Sequence, residues 1–278
     1  MREKILEVIL VALAVVFAIG GYGIYQKGPQ TYQLTPRHPD VLRIVTWNVG
    51  GTNGFGGRSL DDRFLPHISS VLKKLDADLI LLQEVASTRQ AQRLSRMLQG
   101  RWKLIVSAVG SRILAILGQR GSLHNWDGLA HSHQTLAVSY LSPGKPPVLL
   151  MNLHADPYSA QQRNLLIGRA ADVLMSHRSD YLKILAGDLN LDIDIDKRRD
   201  LFTDNEHLDV ETYNYLAQRF SDVTRSTGST AEPDRRLDYI FTDAKPVKVI
   251  RAGPWKGQRV ADMDHDPVVA DLKFESIP

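Results

Sequence analysis

Short apolar runs alternate along this chain with longer segments in which apolar residues recur every three or four positions. The runs predict β-strands and the longer segments predict amphipathic helices, because side chains repeat every two residues in a strand and every 3.6 in a helix. The predicted strands cover residues 41–47, 79–82, 113–117, 135–141, 148–153, 182–186, 237–241, 247–250 and 268–272. The predicted helices cover residues 63–75, 88–98, 160–175 and 210–220.

Several of the predicted strands are apolar on both faces, as in the run Leu79-Ile80-Leu81-Leu82. Such a strand needs cover on each side, so it belongs to a sheet that packs against other layers on both faces. The pattern therefore predicts an α/β fold in which two sheets are flanked by helices.

A different pattern occupies the beginning of the chain, where 19 consecutive uncharged residues run from Val8 to Gln26. This length is close to the roughly 20 residues that a helix needs to cross a bilayer. We therefore predict a transmembrane anchor in residues 1–27, with a signal peptide cleaved near Ala18-Ile19-Gly20 as the alternative. Arg2 and Lys4 favour a cytoplasmic N-terminus, which places the rest of the chain outside the cytoplasm, or in the secreted fraction if cleavage occurs.

The proline-containing segment 28–40 is predicted to be an extended linker, and residues 41–278 form the predicted folded domain. The composition, 43% hydrophobic and 23% charged, is that of a folded protein. Cysteine is absent, which excludes a disulfide framework, a thiolate metal site and a cysteine nucleophile. The net charge of +3 is compatible with a polyanionic substrate but does not require one.

Acidic, amide and histidine side chains recur at or just after the ends of the predicted strands. Mixed α/β folds bind their ligands at this edge of the sheet, so we expect the side chains to share one site. Asp238 differs from the others because it lies inside an apolar strand. The set is Asn48, Glu84, His154, Asp188, Asn190, Asp238, Asp264 and His265.

These residue types match what cleavage of a phosphoester requires: a metal for the phosphoryl oxygens, a base for water, and donors for developing charge. Glu84 suits a Mg²⁺ ligand, with Asn48 and Asp264 as further oxygen ligands. One of Asp188 and Asn190 activates water while the other holds the phosphate or that water. His154 and His265 donate protons or stabilise charge, and Asp238 orients His265.

The ordered motifs that carry these residues resemble those of the endonuclease/exonuclease/phosphatase superfamily, which includes pancreatic-type deoxyribonuclease, abasic-site endonucleases and neutral sphingomyelinases. They are Ile44-Val45-Thr46-Trp47-Asn48, Leu82-Gln83-Glu84-Val85, Asn152-Leu153-His154, Gly187-Asp188-Leu189-Asn190, Arg236-Leu237-Asp238-Tyr239-Ile240 and Asp264-His265-Asp266-Pro267. The resemblance implies a four-layer α/β/β/α sandwich with two mixed sheets. It also implies that the eight residues form an active site around Mg²⁺ or Mn²⁺.

A family feature implied by the same resemblance is an arginine on the helix after the first histidine, and Arg163 is the candidate here for substrate binding. Met263 departs from the family pattern, because many relatives carry serine before the Asp-His pair. That difference affects hydrogen bonding around the site more than its chemistry.

Sequence motifs of this kind indicate the reaction but leave the substrate open. We favour a nuclease acting on DNA or RNA, with no obligate protein partner. A phospholipid or sphingolipid phosphodiesterase, or an inositol phosphate phosphatase, is the alternative. A silent receptor for phosphorylated ligands is disfavoured because every acid, amide and histidine of the pattern is retained. Trp126 or Tyr158 would stack on bases, and the candidate phosphate contacts are Arg112, Arg120, Lys197, Arg198, Arg199, Arg225, Arg235 and Arg236.

Overall fold

The computed structural model describes residues 31–52, 57–107, 112–127, 131–177, 180–194, 207–243 and 247–274. Within these ranges the chain forms two six-stranded sheets and a two-stranded hairpin. The strands are β1 (Val41–Asn48), β2 (Gly51–Thr52), β3 (Gly57–Arg58), β4 (Leu79–Val85), β5 (Lys103–Val106), β6 (Ile113–Gly118), β7 (Ser122–Asn125), β8 (Thr135–Leu141), β9 (Val148–His154), β10 (Leu182–Asp188), β11 (Ser221–Asp222), β12 (Asp238–Thr242), β13 (Val247–Pro254) and β14 (Val268–Phe274).

Four α-helices are described: α1 (Leu65–Leu75), α2 (Thr88–Leu98), α3 (Ala160–Met175) and α4 (Leu208–Ala217). Serine side chains cap two of them, because Ser87 accepts a hydrogen bond from the backbone of α2 and Ser159 accepts one from the backbone of α3. Such caps satisfy backbone N–H groups that have no partner inside the helix. The starts of α2 and α3 are therefore encoded locally.

Each large sheet contains one parallel pair of strands at its centre. The first sheet has the order β13-β14-β1-β4-β6-β5, in which only β1 and β4 are parallel. The second has the order β11-β12-β10-β9-β8-β7, in which only β9 and β10 are parallel. In both pairs the carboxyl ends of the two strands lie at the same edge, which is where polar residues follow.

Three apolar cores separate four layers. One core lies between the two sheets and contains alternate residues such as Leu42 and Ile44 of β1 and Leu150 of β9. The opposite face of the first sheet packs against α1 and α2, and the opposite face of the second packs against α3 and α4. Successive side chains of a strand point to opposite faces, so these central strands are apolar throughout because both faces are covered.

The predicted elements of the domain agree with the structure in kind and order, and differ mainly at their ends. Strands β4 and β10 continue through their polar residues to Val85 and Asp188, and helix α4 lies at Leu208–Ala217 rather than at residues 210–220. Five strands have no counterpart in the prediction: β2, β3, β5, β7 and β11. The last three are short edge strands with little apolar alternation, and β2 and β3 are two-residue strands of the hairpin.

The predicted anchor, residues 1–27 with its hydrophobic helix, lies outside the described residues, as do residues 28–30 of the predicted linker. In the ranges that the structure describes, no helix has the length and apolar character needed to span a bilayer.

Residues 31–40 contain neither a helix nor a strand, and they pack against the first sheet. Tyr32 is 2% exposed, and its backbone N–H donates to the carbonyl oxygen of Pro254 at 2.9 Å. Its hydroxyl donates to Asp271 Oδ2 at 3.1 Å, while Arg43 Nη2 donates to the carbonyl oxygen of Thr35 at 3.1 Å. These contacts fix the direction from which the chain enters the domain.

Candidate active site

Side chains from the two sheets meet at the carboxyl ends of the two parallel strand pairs. Asn48 ends β1, Glu84 lies near the end of β4, His154 ends β9 and Asp188 ends β10. Asn48 Nδ2 donates to Asp188 Oδ2 at 2.9 Å. His154 Nε2 lies 3.5 Å from Glu84 Oε1 and 3.7 Å from Asp188 Oδ2. Four residues spread over 140 sequence positions therefore form one buried polar cluster.

A second part of the cluster is an aspartate–histidine pair. His265 Nδ1 lies 2.8 Å from Asp238 Oδ2, and His265 Nε2 lies 3.7 Å from Asp188 Oδ2. The backbone also fixes this pair, because Trp47 Nε1 donates to the carbonyl oxygen of His265 at 3.0 Å. Thr230 Oγ1 accepts the backbone N–H of Asp238 at 3.1 Å. His265 is thereby oriented with its Nε2 atom towards Asp188.

The backbone at Glu84 has an uncommon conformation that places its carboxylate in the site. Its φ of 59° lies in the left-handed region, and the register of β4 against β6 shifts between Leu82 and Val85. A Cβ atom on Gly50 would lie 2.0 Å from Glu84 Oε2, so only glycine fits beside this carboxylate. Left-handed backbone at a non-glycine residue costs about 1–3 kcal/mol and is concentrated at functional sites.

Asn190, which the sequence predicts to activate water or to hold the phosphate, does not continue the extended path of β10. Its φ of 49° turns the chain away from an extended path, so its backbone N–H donates to Asp188 Oδ1 at 3.0 Å. Its Nδ2 atom donates to the carbonyl oxygen of Ala155 at 3.1 Å. The chain therefore turns as soon as β10 ends, and the amide of Asn190 is held by the protein backbone.

The two histidines have opposite electrostatic environments. Burial lowers the pKa of His154 against the opposing effect of Asp188. Burial also disfavours the charged form of His265, but the Asp238 and Asp188 carboxylates raise its pKa well above the usual value. The charged imidazolium form is therefore favoured at His265 and the neutral form at His154. Separation of this kind assigns different proton-transfer roles to similar groups.

The charged neighbours of the Glu84 carboxylate are His154 at 3.5 Å and Arg112 at 4.0 Å. Its pKa is raised to about 7, chiefly by burial and further by Asp188 and Asp264, while Arg112 opposes the shift. Burial also raises the pKa of Asp264. Because burial disfavours the ionised forms of Glu84 and Asp264, a cation between them would stabilise both carboxylates. These oxygen ligands fit Mg²⁺ or Mn²⁺.

The structure also brings Asp188, Asp238 and His265 close enough to share an ion, because one ligand atom of each lies within 4.8 Å of the others. This set differs from the predicted ligands Asn48, Glu84 and Asp264. Asp238 and His265 are already hydrogen-bonded to each other, whereas Glu84 has charged neighbours only at 3.5 Å and beyond. The carboxylate of Glu84 is therefore the one more available to a cation.

Arg163, the predicted substrate-binding arginine, lies beneath the site and has no exposed surface. Its Nε and Nη2 atoms donate to the two carboxylate oxygens of Asp209, each at 2.8 Å, and Nη1 donates to the carbonyl oxygen of Asp156 at 3.0 Å. In this conformation it cannot contact a substrate. The helix face that carries it is covered by α4, which the sequence pattern did not indicate.

The predicted phosphate contacts are mostly placed elsewhere. Arg235 is 2% exposed and paired with Asp192, and Arg236 is paired with Asp222. Arg120 is paired with Asp76 and Asp78 at the opposite end of the sandwich. Arg112 alone among these has a described contact with the cluster, since its Nη1 atom lies 4.0 Å from Glu84 Oε1. Lys197, Arg198 and Arg199 lie outside the described residues.

Two supporting groups were not assigned a role from sequence. Gln83 Nε2 donates to Asn152 Oδ1 at 2.6 Å, which links β4 of one sheet to β9 of the other. This fully buried pair sets the spacing of the sheets just below Glu84 and His154. Thr230, which accepts the backbone N–H of Asp238, lies in a loop without any motif to mark it.

Known proteins with the same architecture include nucleic-acid enzymes. A conserved protein of unknown function from Enterococcus faecalis V583 superposes with a TM-score of 0.63 at 17% identity, covering 84% of this chain and 100% of the other. D. rerio TDP2, in complex with a single-strand DNA product, gives 0.60 at 18% identity and 84% and 99% coverage. An AP endonuclease from Archaeoglobus fulgidus gives 0.60 at 17% identity and 82% and 98% coverage.

At these identities the superpositions establish the fold and leave the activity open. Among curated proteins, none matches the chain. The family described as Endonuclease/Exonuclease/phosphatase matches residues 45–260, a span that begins inside β1 and includes Asn48, Glu84, His154, Asp188 and Asp238. Since this match covers most of the sequence, the chain belongs to the endonuclease/exonuclease/phosphatase family.

Proposed function

We propose that this protein is a divalent-metal-dependent phosphodiesterase that cleaves nucleic acid. The observation that carries the proposal is the convergence of residues from two different sheets, with His154 Nε2 lying 3.5 Å from Glu84 Oε1 and 3.7 Å from Asp188 Oδ2. Burial of charged and polar groups raises the free energy of the folded state. A buried cluster of such groups that the protein does not pair completely is therefore characteristic of a reaction site.

Asp188 is the group that we assign to water activation. Its two carboxylate oxygens accept hydrogen bonds from Asn48 Nδ2 and from the backbone N–H of Asn190, at 2.9 and 3.0 Å. These donors hold the carboxylate in one orientation. A water molecule that hydrogen-bonds to Asp188 is therefore oriented for attack on a phosphorus atom in the cluster.

His265 and His154 are assigned to the phosphate. The Asp238 carboxylate fixes Nδ1 of His265, so the Nε2–H group of the imidazolium is directed towards the position of the phosphoryl oxygens. A charged donor aimed at developing negative charge lowers the barrier of this reaction. His154, whose neutral form is favoured by burial, lies between Glu84 and Asp188, where we assign it a hydrogen bond to a phosphate oxygen or to the leaving group.

Glu84 is the principal residue proposed to hold Mg²⁺ or Mn²⁺, with the Asn48 amide and Asp264 on the same side of the cluster. When bound, the ion supplies electrostatic stabilisation of the phosphoryl oxygens. Arg163 is assigned a positioning role, because its ion pair with Asp209 supports the loop that carries Asn190. Asp209 Oδ2 also accepts the backbone N–H of Asp192 at 3.4 Å in that loop.

The first experiment assays the purified full chain in detergent with Mg²⁺ or Mn²⁺ against DNA, RNA, sphingomyelin vesicles and inositol phosphates. We expect DNA or RNA to be cleaved, and cleavage to decline steeply as salt rises, because a protein that contacts several phosphates displaces counterions. Lipid cleavage would instead depend on the vesicle surface. Turnover of sphingomyelin or inositol phosphates without turnover of nucleic acid would reject the nuclease proposal.

We also propose that residues 1–27 anchor the protein in a membrane with the catalytic domain outside the cytoplasm. The support is the uncharged run from Val8 to Gln26. Fractionation of cells that express the full chain, beside a version beginning at Thr31, tests it. We expect the full chain in the membrane pellet and the shortened one in the supernatant. Full-length protein in the supernatant would contradict the anchor, and a shortened product there would indicate a signal peptide.

A further inference from the structure

A cavity of about 340 Å³ lies beside the catalytic cluster, on the side of Glu84. Its walls come from the segment after Asn48, from residues 58–64, and from Asp262 and Met263, which precede Asp264. Gly50 lines it, and a Cβ atom on this glycine would lie 2.0 Å from Glu84 Oε2. A substrate group that is attached to a phosphate at the cluster therefore reaches this cavity directly.

The floor of the cavity is apolar. Val49, Leu60 and Met263 are buried, and Phe64 packs partly against the same core. The Arg63 guanidinium lies over the Phe64 ring, with 4.8 Å between its central carbon and the ring centroid. The guanidinium and the ring therefore form a flat surface on which a planar group of a ligand can stack.

The rim carries two positive and two negative side chains. Arg63 Nε lies 3.1 Å from Asp61 Oδ2, and Arg58 Nη1 lies 3.7 Å from Asp262 Oδ2. All four side chains are about half exposed or more, so each ion pair contributes little and is readily exchanged for contacts with a ligand. The cavity thus offers both hydrogen-bond donors and acceptors, with no net charge.

This combination discriminates between kinds of occupant. A free phosphate would meet two carboxylates, and an acyl chain would bury four charged groups without hydrogen bonds. A quaternary ammonium head group would face two guanidinium groups. A nucleobase matches each part, because its faces are apolar and its edge carries both donors and acceptors. Arginine donates to purine acceptors, and aspartate accepts from exocyclic amino groups.

We propose that this cavity, lined by Arg58, Asp61, Arg63, Phe64 and Asp262, binds the nucleobase next to the scissile phosphodiester. The inference rests on the proposed nuclease function and adds a base-binding subsite to it. Stacking of one base contributes on the order of tenfold or more to affinity. The subsite therefore acts on substrate binding rather than on the chemical step.

The test uses the full chain and an eight-nucleotide single-stranded DNA in which one phosphodiester is cleavable and the other linkages are methylphosphonates. Two further substrates lack the base on one or the other side of the cleavable linkage. For the unaltered protein we expect loss of one of the two bases to raise KM about tenfold with little change in kcat, the pattern of lost uniform binding.

Two variants address the cavity itself: Arg63→Ala removes the stacked guanidinium, and Ser59→Tyr fills the space. We expect each to raise KM for the complete DNA about tenfold and to leave KM unchanged for the substrate that lacks the bound base. Arg93→Ala is the matched control, because Arg93 also pairs with an exposed aspartate at 3.1 Å but lies outside the cavity. It should behave as the unaltered protein.

The outcomes separate the two proposals. If the unaltered protein cleaves the DNA with the same KM whether or not either base is present, the nuclease function stands and the base subsite is wrong. The subsite is also wrong if Arg63→Ala and Ser59→Tyr raise KM equally for complete and base-lacking substrates. If the protein cleaves none of the DNAs but cleaves sphingomyelin vesicles, the nuclease function fails and the subsite fails with it.

Discussion

Replacement of Asp188 by asparagine is expected to lower kcat about a thousandfold at saturating metal while the protein stays folded. The variant keeps the shape of the side chain but loses its charge, so it no longer draws a proton from water. A positioned acid or base contributes 10²- to 10⁴-fold to turnover. The measurement is kcat with DNA or RNA, beside a thermal unfolding curve for each protein.

Asp78→Asn is the matched control for this variant. Asp78 is also fully buried, but it lies at the other end of the sandwich, where Oδ2 accepts the backbone N–H of Arg43 at 2.9 Å. Arg37, Arg120 and Lys145 surround it. We expect this substitution to lower stability and to leave kcat within about twofold. Retention of more than a tenth of kcat in Asp188→Asn would remove Asp188 from the proposed role.

Glu84→Gln is expected to lower turnover at least a hundredfold and, in the absence of metal, to stabilise the fold at alkaline pH. The pKa of Glu84 rises from 4.5 to about 7 on folding, so the folded protein binds this proton more tightly than the unfolded chain does. Stability is thus lost as pH rises from about 4.5 to 7, and the loss persists above 7. Glutamine removes this cost, which is on the order of 3 kcal/mol.

The measurement is urea unfolding of chelator-treated protein at pH 5 and pH 8, repeated with Mg²⁺. The unaltered protein should gain more stability from Mg²⁺ at pH 8 than at pH 5, because binding of the cation requires the ionised carboxylate. Glu84→Gln should show little Mg²⁺ effect. Glu211→Gln, on the exposed face of α4, is the control. Equal Mg²⁺ stabilisation in Glu84→Gln and the unaltered protein would show that Glu84 does not hold the metal.

Much of this site was predictable because the order and direction of the strands, rather than the conformations of individual side chains, bring its residues together. Asn48, Glu84, His154 and Asp188 each follow a run of buried strand residues, and parallel strands end at a common edge. Their convergence then requires only that the two sheets pack face to face. The His265–Asp238 contact was likewise expected from the motifs, and the structure gives it a distance of 2.8 Å.

The features that the sequence did not predict depend on whether a charged side chain points to solvent or into the protein. Arg163 and Arg235 are of a residue type usually found at the surface. Each is instead buried against an aspartate that the fold brings close. Periodicity assigns such residues to a polar face and contains no information about a partner 43 or more positions away. The turn at Asn190 was not predicted for a local reason, because a left-handed residue directly after a strand produces no apolar pattern in the sequence.

The contacts of residues 31–40 determine at which end of the domain this segment joins the first sheet. Tyr32 is hydrogen-bonded to Pro254, which lies opposite Val268 in the sheet, and Val268 lies opposite Thr46, two residues before Asn48. The chain thus joins the domain at the end that bears the catalytic groups. If the proposed anchor in residues 1–27 attaches the protein to a membrane, a tether leading to Tyr32 would hold the end of the domain with Asn48 and Asp188 towards that membrane.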